Sequence, residues 1–444
     1  MQRDAIDFES GDVATLFRKM LLPTLIGTLA MSAMTVIDGV IVGHGVGPEG
    51  VAAVNIIVPI YQIMSGIGLM IGAGCSVVAS IHLAQRKLKV ARLNITQAII
   101  ASMAIVTALV LVMFFMPETT ARLLGASPTL MPHVLDYMIW LLPGFIFEMI
   151  GVIGLFVIRL DGSPRYAMWC NIIPAVLNAL LDYIFVFPLG MGVKGAGVAT
   201  AMCMALGGVM ALVYMLMPSH ELHLEMPKLS LKSLRLSLRN VAYQCRIGMS
   251  SLLGELSLAI VIFVGNIVFM RYLGDSGVSA FGISCYYTPF FFMVGNAIQQ
   301  SAQPIISYNY GAKRWDSVAR VRRLMYVTSL IIGVLVSLLF VFAPEPLVGL
   351  FVDVRSAAGQ IAIEGFPYYA AGIIFFIFNI VTIGYYQSIE RTRRAMLLVM
   401  LRGAVFIIPT FILMPELLGV VGIWLAMPLS ELLTLLVALI FVRR

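Results

Sequence analysis

Gly50-Val51-Ala52-Ala53 returns 227 positions later as Gly277-Val278-Ser279-Ala280, and it does not return alone. At the same spacing Gly27 meets Gly254, Gly68 meets Gly295, and Phe115-Met116-Pro117-Glu118 meets Phe342-Ala343-Pro344-Glu345. Pro188 with Gly192-Val193 likewise meets Pro415 with Gly419-Val420. The register slips by one only around Ala167-Met168 against Ala395-Met396. One offset held across such dissimilar positions is the mark of a duplication, so the second half reads as a diverged copy of the first.

Composition places that duplication in a membrane. The chain is 60% apolar and 11% charged, where a soluble domain carries about 25% charged residues. Runs such as Ile95 to Met116 and Tyr326 to Ala343 are long enough to cross a hydrocarbon core of about 30 Å at about 1.5 Å per residue. The expectation is an all-α, polytopic membrane protein with twelve transmembrane helices, arranged as two parallel six-helix repeats around a central cleft. Its predicted lobes are residues 1–217 and 245–444, joined by a polar, basic linker over 218–244 that lies along the cytoplasmic surface. Two membrane repeats with a cleft between them are the architecture of secondary transporters.

Lysine and arginine set the orientation, because positive residues stay on the cytoplasmic side of short loops. Arg86-Lys87-Leu88-Lys89 with Arg92, Arg159 with Arg165, Lys313-Arg314 with Arg320 to Arg323, and Arg391 to Arg394 fall on every second connection. The linker adds Lys228, Lys232, Arg235 and Arg239, with Arg246 just past its end, while the alternate connections hold only Arg122, Lys194, Arg271 and Arg355. Both termini are therefore expected in the cytoplasm, with the protein multi-pass in the plasma (inner) membrane. Each half begins and ends inside, so the halves run parallel.

The net charge of +7 is accounted for by topology and anionic lipid, without nucleic acid as a partner. Cys75, Cys170, Cys203, Cys245 and Cys285 show no Cys-x-x-Cys spacing and read as small packing residues. The polar start, Met1 to Lys19, runs into a full-length span, which is not the pattern of a removable signal peptide.

Charged residues within spans are costly and usually functional. Six qualify: Asp38, Glu148, Asp182, Glu255, Arg402 and Glu431. Arg402 is placed to snorkel to the cytoplasmic interface, and Glu431 to pair with a neighbour. Asp182 stands out, since Asn171, Pro174, Asn178 and Asp182 share one helical face. Pro174 removes a backbone donor there, and Asn178 sits one turn from the carboxylate. Desolvation disfavours the charged form of such an acid unless a cation or donor compensates, so it suits proton uptake or ligation of a hard cation.

Several segments together resemble the multidrug and toxic compound extrusion (MATE) transporters. They are Pro23 with Asp38, Asn178-x-x-x-Asp182, Gly192-Val193-Lys194-Gly195-Ala196-Gly197-Val198-Ala199-Thr200 and Gln303-Pro304-Ile305-Ile306-Ser307-Tyr308-Asn309-Tyr310-Gly311-Ala312. The resemblance covers essentially the whole chain. It implies a twelve-helix antiporter that exchanges protons or sodium ions for bulky, often cationic, organic molecules, with no other cofactor. It also implies a cation-coupling site at Asp38, Asn178, Asp182 and Thr200, with no metal beyond a possible sodium ion at Asp38/Asp182. In the second lobe, Glu255 resembles the family's acid on the seventh helix, but its partner is missing, since Tyr369 to Tyr386 contains no acid. Glu148 and Glu255 are therefore kept as second coupling or substrate acids. In the self-alignment Asp38 falls on Gly265, Asp182 on Pro409, Thr200 on Met427 and Glu255 on Thr28, so the fold is duplicated and the acids are not.

A substrate cleft leaves a weaker trace in Tyr286, Tyr287, Phe291, Tyr369, Phe375 and Phe376, whose faces suit organic cations but equally suit aromatic belts. The expected partners are small organic molecules and the lipid bilayer, with the protein monomeric. The alternative is a flippase for lipid-linked oligosaccharide or another lipid, for which only Arg402 offers a basic intramembrane group. An enzyme is not expected: there is no His-Glu-x-x-His, and His44, His82, His133, His220 and His223 lie at span ends or in loops.

Overall fold

The computed structural model describes residues 8–9, 12–226 and 230–443; Lys228 of the linker lies outside them. Among the described residues the regular structure is helical. The first half contains α1 (Val13–Gly45), α2 (Pro48–Ala84), α3 (Leu88–Phe115), the short α4 (Pro117–Leu123), α5 (Met131–Leu160), α6 (Pro164–Val186) and α7 (Gly192–Leu216). Next come α8 (Leu231–Gly311), α9 (Trp315–Phe342), the short α10 (Pro344–Gly349), α11 (Ala357–Ser388) and α12 (Thr392–Met400), then a π-helix (Leu401–Val405) and α13 (Ile407–Arg443).

Ten of these helical stretches are long and apolar enough to cross a membrane. Two are broken inside, α8 at Gly274 (φ 63°) and α13 at Gly419 (φ 58°). L side chains avoid that left-handed region, so glycine turns the chain there. Counting each side of the two breaks gives twelve apolar helical segments, six per repeat.

Helix ends follow local chemistry. Asp12 caps α1 by accepting from the Thr15 amide at 3.2 Å, and Ser356 caps α11 by accepting from the Gly359 amide at 3.1 Å. Proline opens α2, α4, α5, α6 and α10 within the first turn, where its missing donor costs nothing. The segment after α7 is strapped down: buried Asp161 accepts from the Tyr214 hydroxyl (2.7 Å) and the Leu222 amide (2.8 Å), and Arg92 donates to the Glu221 carbonyl. Leu231 then opens a helix that runs without a break through the end of the linker into the seventh span.

Packing groups the chain into two units, residues 1–252 with 307–315, and residues 253–306 with 316–444. In the first, α5 and α7 lie close because small residues face each other: a Cβ on Gly144 would stand 2.9 Å from the Ala201 Cα. In the second, Gly372 of α11 meets Pro428 of α13 in the same way, with a Cβ 3.0 Å from the Pro428 Cα. Close backbone approach at small residues is how membrane helices associate without a hydrophobic drive.

Candidate functional site

The site in the first unit is set by two pairs of helices. Along α1 and α6, a Cβ on Gly27 would stand 3.1 Å from Asn171 Nδ2, and Gly45 abuts Val186 further on. These contacts run in the same direction, so the helices are parallel and Asp38 comes level with Asp182. Along α5 and α7, a Cβ on Gly197 would stand 2.7 Å from the Tyr137 carbonyl oxygen. Glycine there lets Thr200, one turn on, reach Tyr137.

The structure thus brings the four predicted coupling residues together. Asp38 is half-buried, while Asn178 and Asp182 are fully buried and Thr200 is 3% exposed. Asn178 Nδ2 donates to Thr200 Oγ1 at 3.5 Å. The carboxyls of Asp38 and Asp182 lie close enough to share a proton. Asp38 Oδ1, Asn178 Oδ1 and both oxygens of Asp182 are buried with no donor from the protein. Two adjacent carboxylates in apolar surroundings repel each other strongly, and a proton or a hard cation among these oxygens relieves that repulsion.

Tyr137 and Tyr61 were not singled out in the sequence. The Tyr137 hydroxyl is in hydrogen-bonding reach of Thr200 and within electrostatic range of Asp38 and Asp182. Tyr61 is within electrostatic range of Glu148, Tyr137 and Asp38. A tyrosine near a span end reads as an interfacial anchor, and only the close approach of α7 at Gly197 reveals the other role of Tyr137.

The second unit is built differently. Glu255 is half-buried on α8. Arg402 does not snorkel: it is buried, and its Nη2 donates to Glu431 Oε1 at 2.7 Å and its Nε to the same oxygen at 3.0 Å. Asn379 Nδ2 donates to Glu431 Oε2 at 2.7 Å, and the guanidinium stacks 4.3 Å from the Phe376 ring centroid. Neutralising the guanidinium inside the lobe is what removes the drive toward the interface.

Of the aromatic candidates, Phe291, Tyr369 and Phe376 are buried within the unit, with the Tyr369 hydroxyl 2.7 Å from Thr288 Oγ1. Tyr287 donates to the Leu347 carbonyl at 2.9 Å, Phe375 is half-buried, and Tyr286 is exposed and stacked on Phe351. Among the described residues no three His, Cys, Asp or Glu side chains cluster as a metal site.

The MatE family model matches this chain twice, over residues 23–184 and 251–412. The multidrug export protein MepA of Staphylococcus aureus is 22% identical over 435 residues, covering 98% of this chain and 94% of that protein. An FAD transporter of Shewanella oneidensis is 23% identical over 351 residues, covering 77% of this chain and 75% of that protein. Among solved structures, an outward-facing multidrug resistance MATE family transporter of the MOP superfamily superposes with a TM-score of 0.90 at 21% identity, covering 98% and 96% of the two chains. A mutant of the Vibrio cholerae MATE transporter VcmN gives 0.88 at 19% identity, covering 96% and 95%. One model accounts for both repeats, and the chain belongs to the MatE family of multidrug and toxic compound extrusion transporters, membrane transporters and not enzymes.

Proposed function

We propose that the protein is an antiporter that exports bulky organic, often cationic, compounds in exchange for protons or sodium ions. The observation that carries this reading is the set of buried, donor-free oxygens of Asp38, Asn178 and Asp182 beside Thr200. A cation bound there changes the energy of one conformation more than another, and that difference couples its movement to the substrate's by alternating access. One elementary charge moving down a 100 mV potential supplies about 2.3 kcal/mol. We read it as a plasma membrane protein with both termini in the cytoplasm, a reading that the basic residues on alternate connections support.

MepA is a multidrug export protein and the Shewanella relative an FAD transporter, which supports a bulky organic substrate. A lipid flippase is less well supported, because Arg402 is already neutralised by Glu431. The test is a reconstituted vesicle assay. Gradient-driven movement of the fluorescent cation ethidium, without lipid scrambling in the same vesicles, is the expected result. Scrambling without ethidium transport would overturn the reading.

A further inference from the structure

Glu148 is a half-buried acid far from either end of α5, at a depth where an ionisable group is costly enough to need a use. Its surroundings follow from the register of α2 against α5. Tyr61 meets Phe145 edge to face at 5.5 Å. A Cβ on Gly68 would stand 3.2 Å from Met149 Cε, and one on Gly72 2.8 Å from Phe156. These contacts advance together, so the helices are parallel and Tyr61 sits level with Phe145. Glu148 then lies about 4.5 Å along the axis to one side of that level, and Tyr137 about 12 Å to the other. Tyr61 is within electrostatic range of Glu148, Tyr137 and Asp38 alike. Tyr137 continues the string to Thr200 and the acid pair, with Cys203 the other titratable group set against that pair.

We propose that Tyr61 and Glu148 form an inner proton station of the N-terminal unit, exchanging protons with the Asp38–Asp182 pair. The proposal rests on the reading of that pair as the coupling site and commits it to protons. In the transfer, the protonated acid pair gives up its proton through the hydroxyls of Tyr137 and Tyr61, bridged by water where they do not touch. Each hydroxyl oxygen gains one O–H bond as it loses another, and the last proton forms an O–H bond with the Glu148 carboxylate. Both tyrosines end neutral, and one negative charge has moved from Glu148 to the acid pair. A tyrosine hydroxyl serves because it both donates and accepts, whereas phenylalanine interrupts the string without changing its shape.

The experiment uses the full chain in vesicles with ethidium as probe, measuring proton-gradient-driven uptake, sodium-gradient-driven uptake and ethidium counterflow at equal ion concentrations. Glu148→Gln should slow proton-driven uptake by about 100-fold, the low end of what one positioned proton-transfer group contributes, and Tyr61→Phe should slow it less, while counterflow falls far less. The double variant should be no slower than Glu148→Gln, because both act on one path. Glu148→Asp, which keeps the acid, should recover part of the rate. Proton-driven uptake at the wild-type rate in Glu148→Gln, or a parallel fall of uptake and counterflow, overturns the proposal. Wild-type coupling to sodium alone overturns it while leaving a cation antiporter standing. A wild-type protein indifferent to both gradients removes the parent reading as well.

Discussion

The guanidinium of Arg402 and the carboxylate of Glu431 meet at 2.7 Å with their side chains only 4% and 5% exposed, and Asn379 completes the carboxylate's shell at 2.7 Å. Arg402 sits in the π-helix Leu401–Val405, a local widening of helices that often marks a functional position.

Removing one partner leaves the other charge in an apolar interior at a cost of about 3–5 kcal/mol. Arg402→Ala and Glu431→Ala should each lower the thermal unfolding midpoint in detergent markedly. Arg402→Met combined with Glu431→Leu should recover most of the loss, because both desolvation penalties go together. Single variants that melt with the wild type would show that the pair does not hold the unit together.

The duplication was legible in the sequence because glycine and proline mark fixed backbone events. Gly47 and Gly274 are both left-handed (φ 95° and 63°), as are Arg86 and Lys313 (57° and 59°) and Gly192 and Gly419 (59° and 58°). The short helices after Pro117 and Pro344 repeat as well. Asp38, Asn178, Asp182 and Thr200 were found through family motifs together with one helical face, and they converge. Tyr137 is not legible in the sequence; Arg402 and Glu431 are, with Glu431 expected to pair with a neighbour, but not that they pair with each other and with Asn379. Their partners lie on other helices at separations with no local pattern, and only the packing of α5 on α7 and of α11 on α13 brings them into contact.

Gly197 tests that packing. In an exposed helix interior, Gly→Ala stabilises by about 0.5–1 kcal/mol, yet here the added carbon would stand 2.7 Å from the Tyr137 carbonyl oxygen. Overpacking of this kind costs about 1–3 kcal/mol. Gly197→Ala should therefore destabilise the protein, separate Thr200 from Tyr137 and reduce gradient-driven transport more than counterflow. Unchanged melting and transport would show that α7 relaxes freely away from α5.

Orientation has its own test. Single cysteines replacing Glu49, Ser276 and Glu416 in a cysteine-free background should react with an impermeant thiol reagent in intact cells. Those replacing Lys89, Lys232 and Arg393 should react only after permeabilisation. Inverted labelling would reverse the topology and with it the direction of transport.

The central claim is that the N-terminal unit couples transport to a cation, and a gradient-response assay of three variants tests it most directly. Uptake of one cationic and one neutral substrate is measured in vesicles under an imposed proton or sodium gradient. Asp182→Asn and Asp38→Asn should both insert and fold yet lose the gradient response for either substrate, because each removes a carboxylate from the same set of buried oxygens. Glu255→Gln, in the other unit, should give a partial defect that is larger for the cationic substrate. Loss of response to both substrates in Glu255→Gln, with Asp38→Asn and Asp182→Asn still following the gradient, would place coupling in the C-terminal unit and contradict the account.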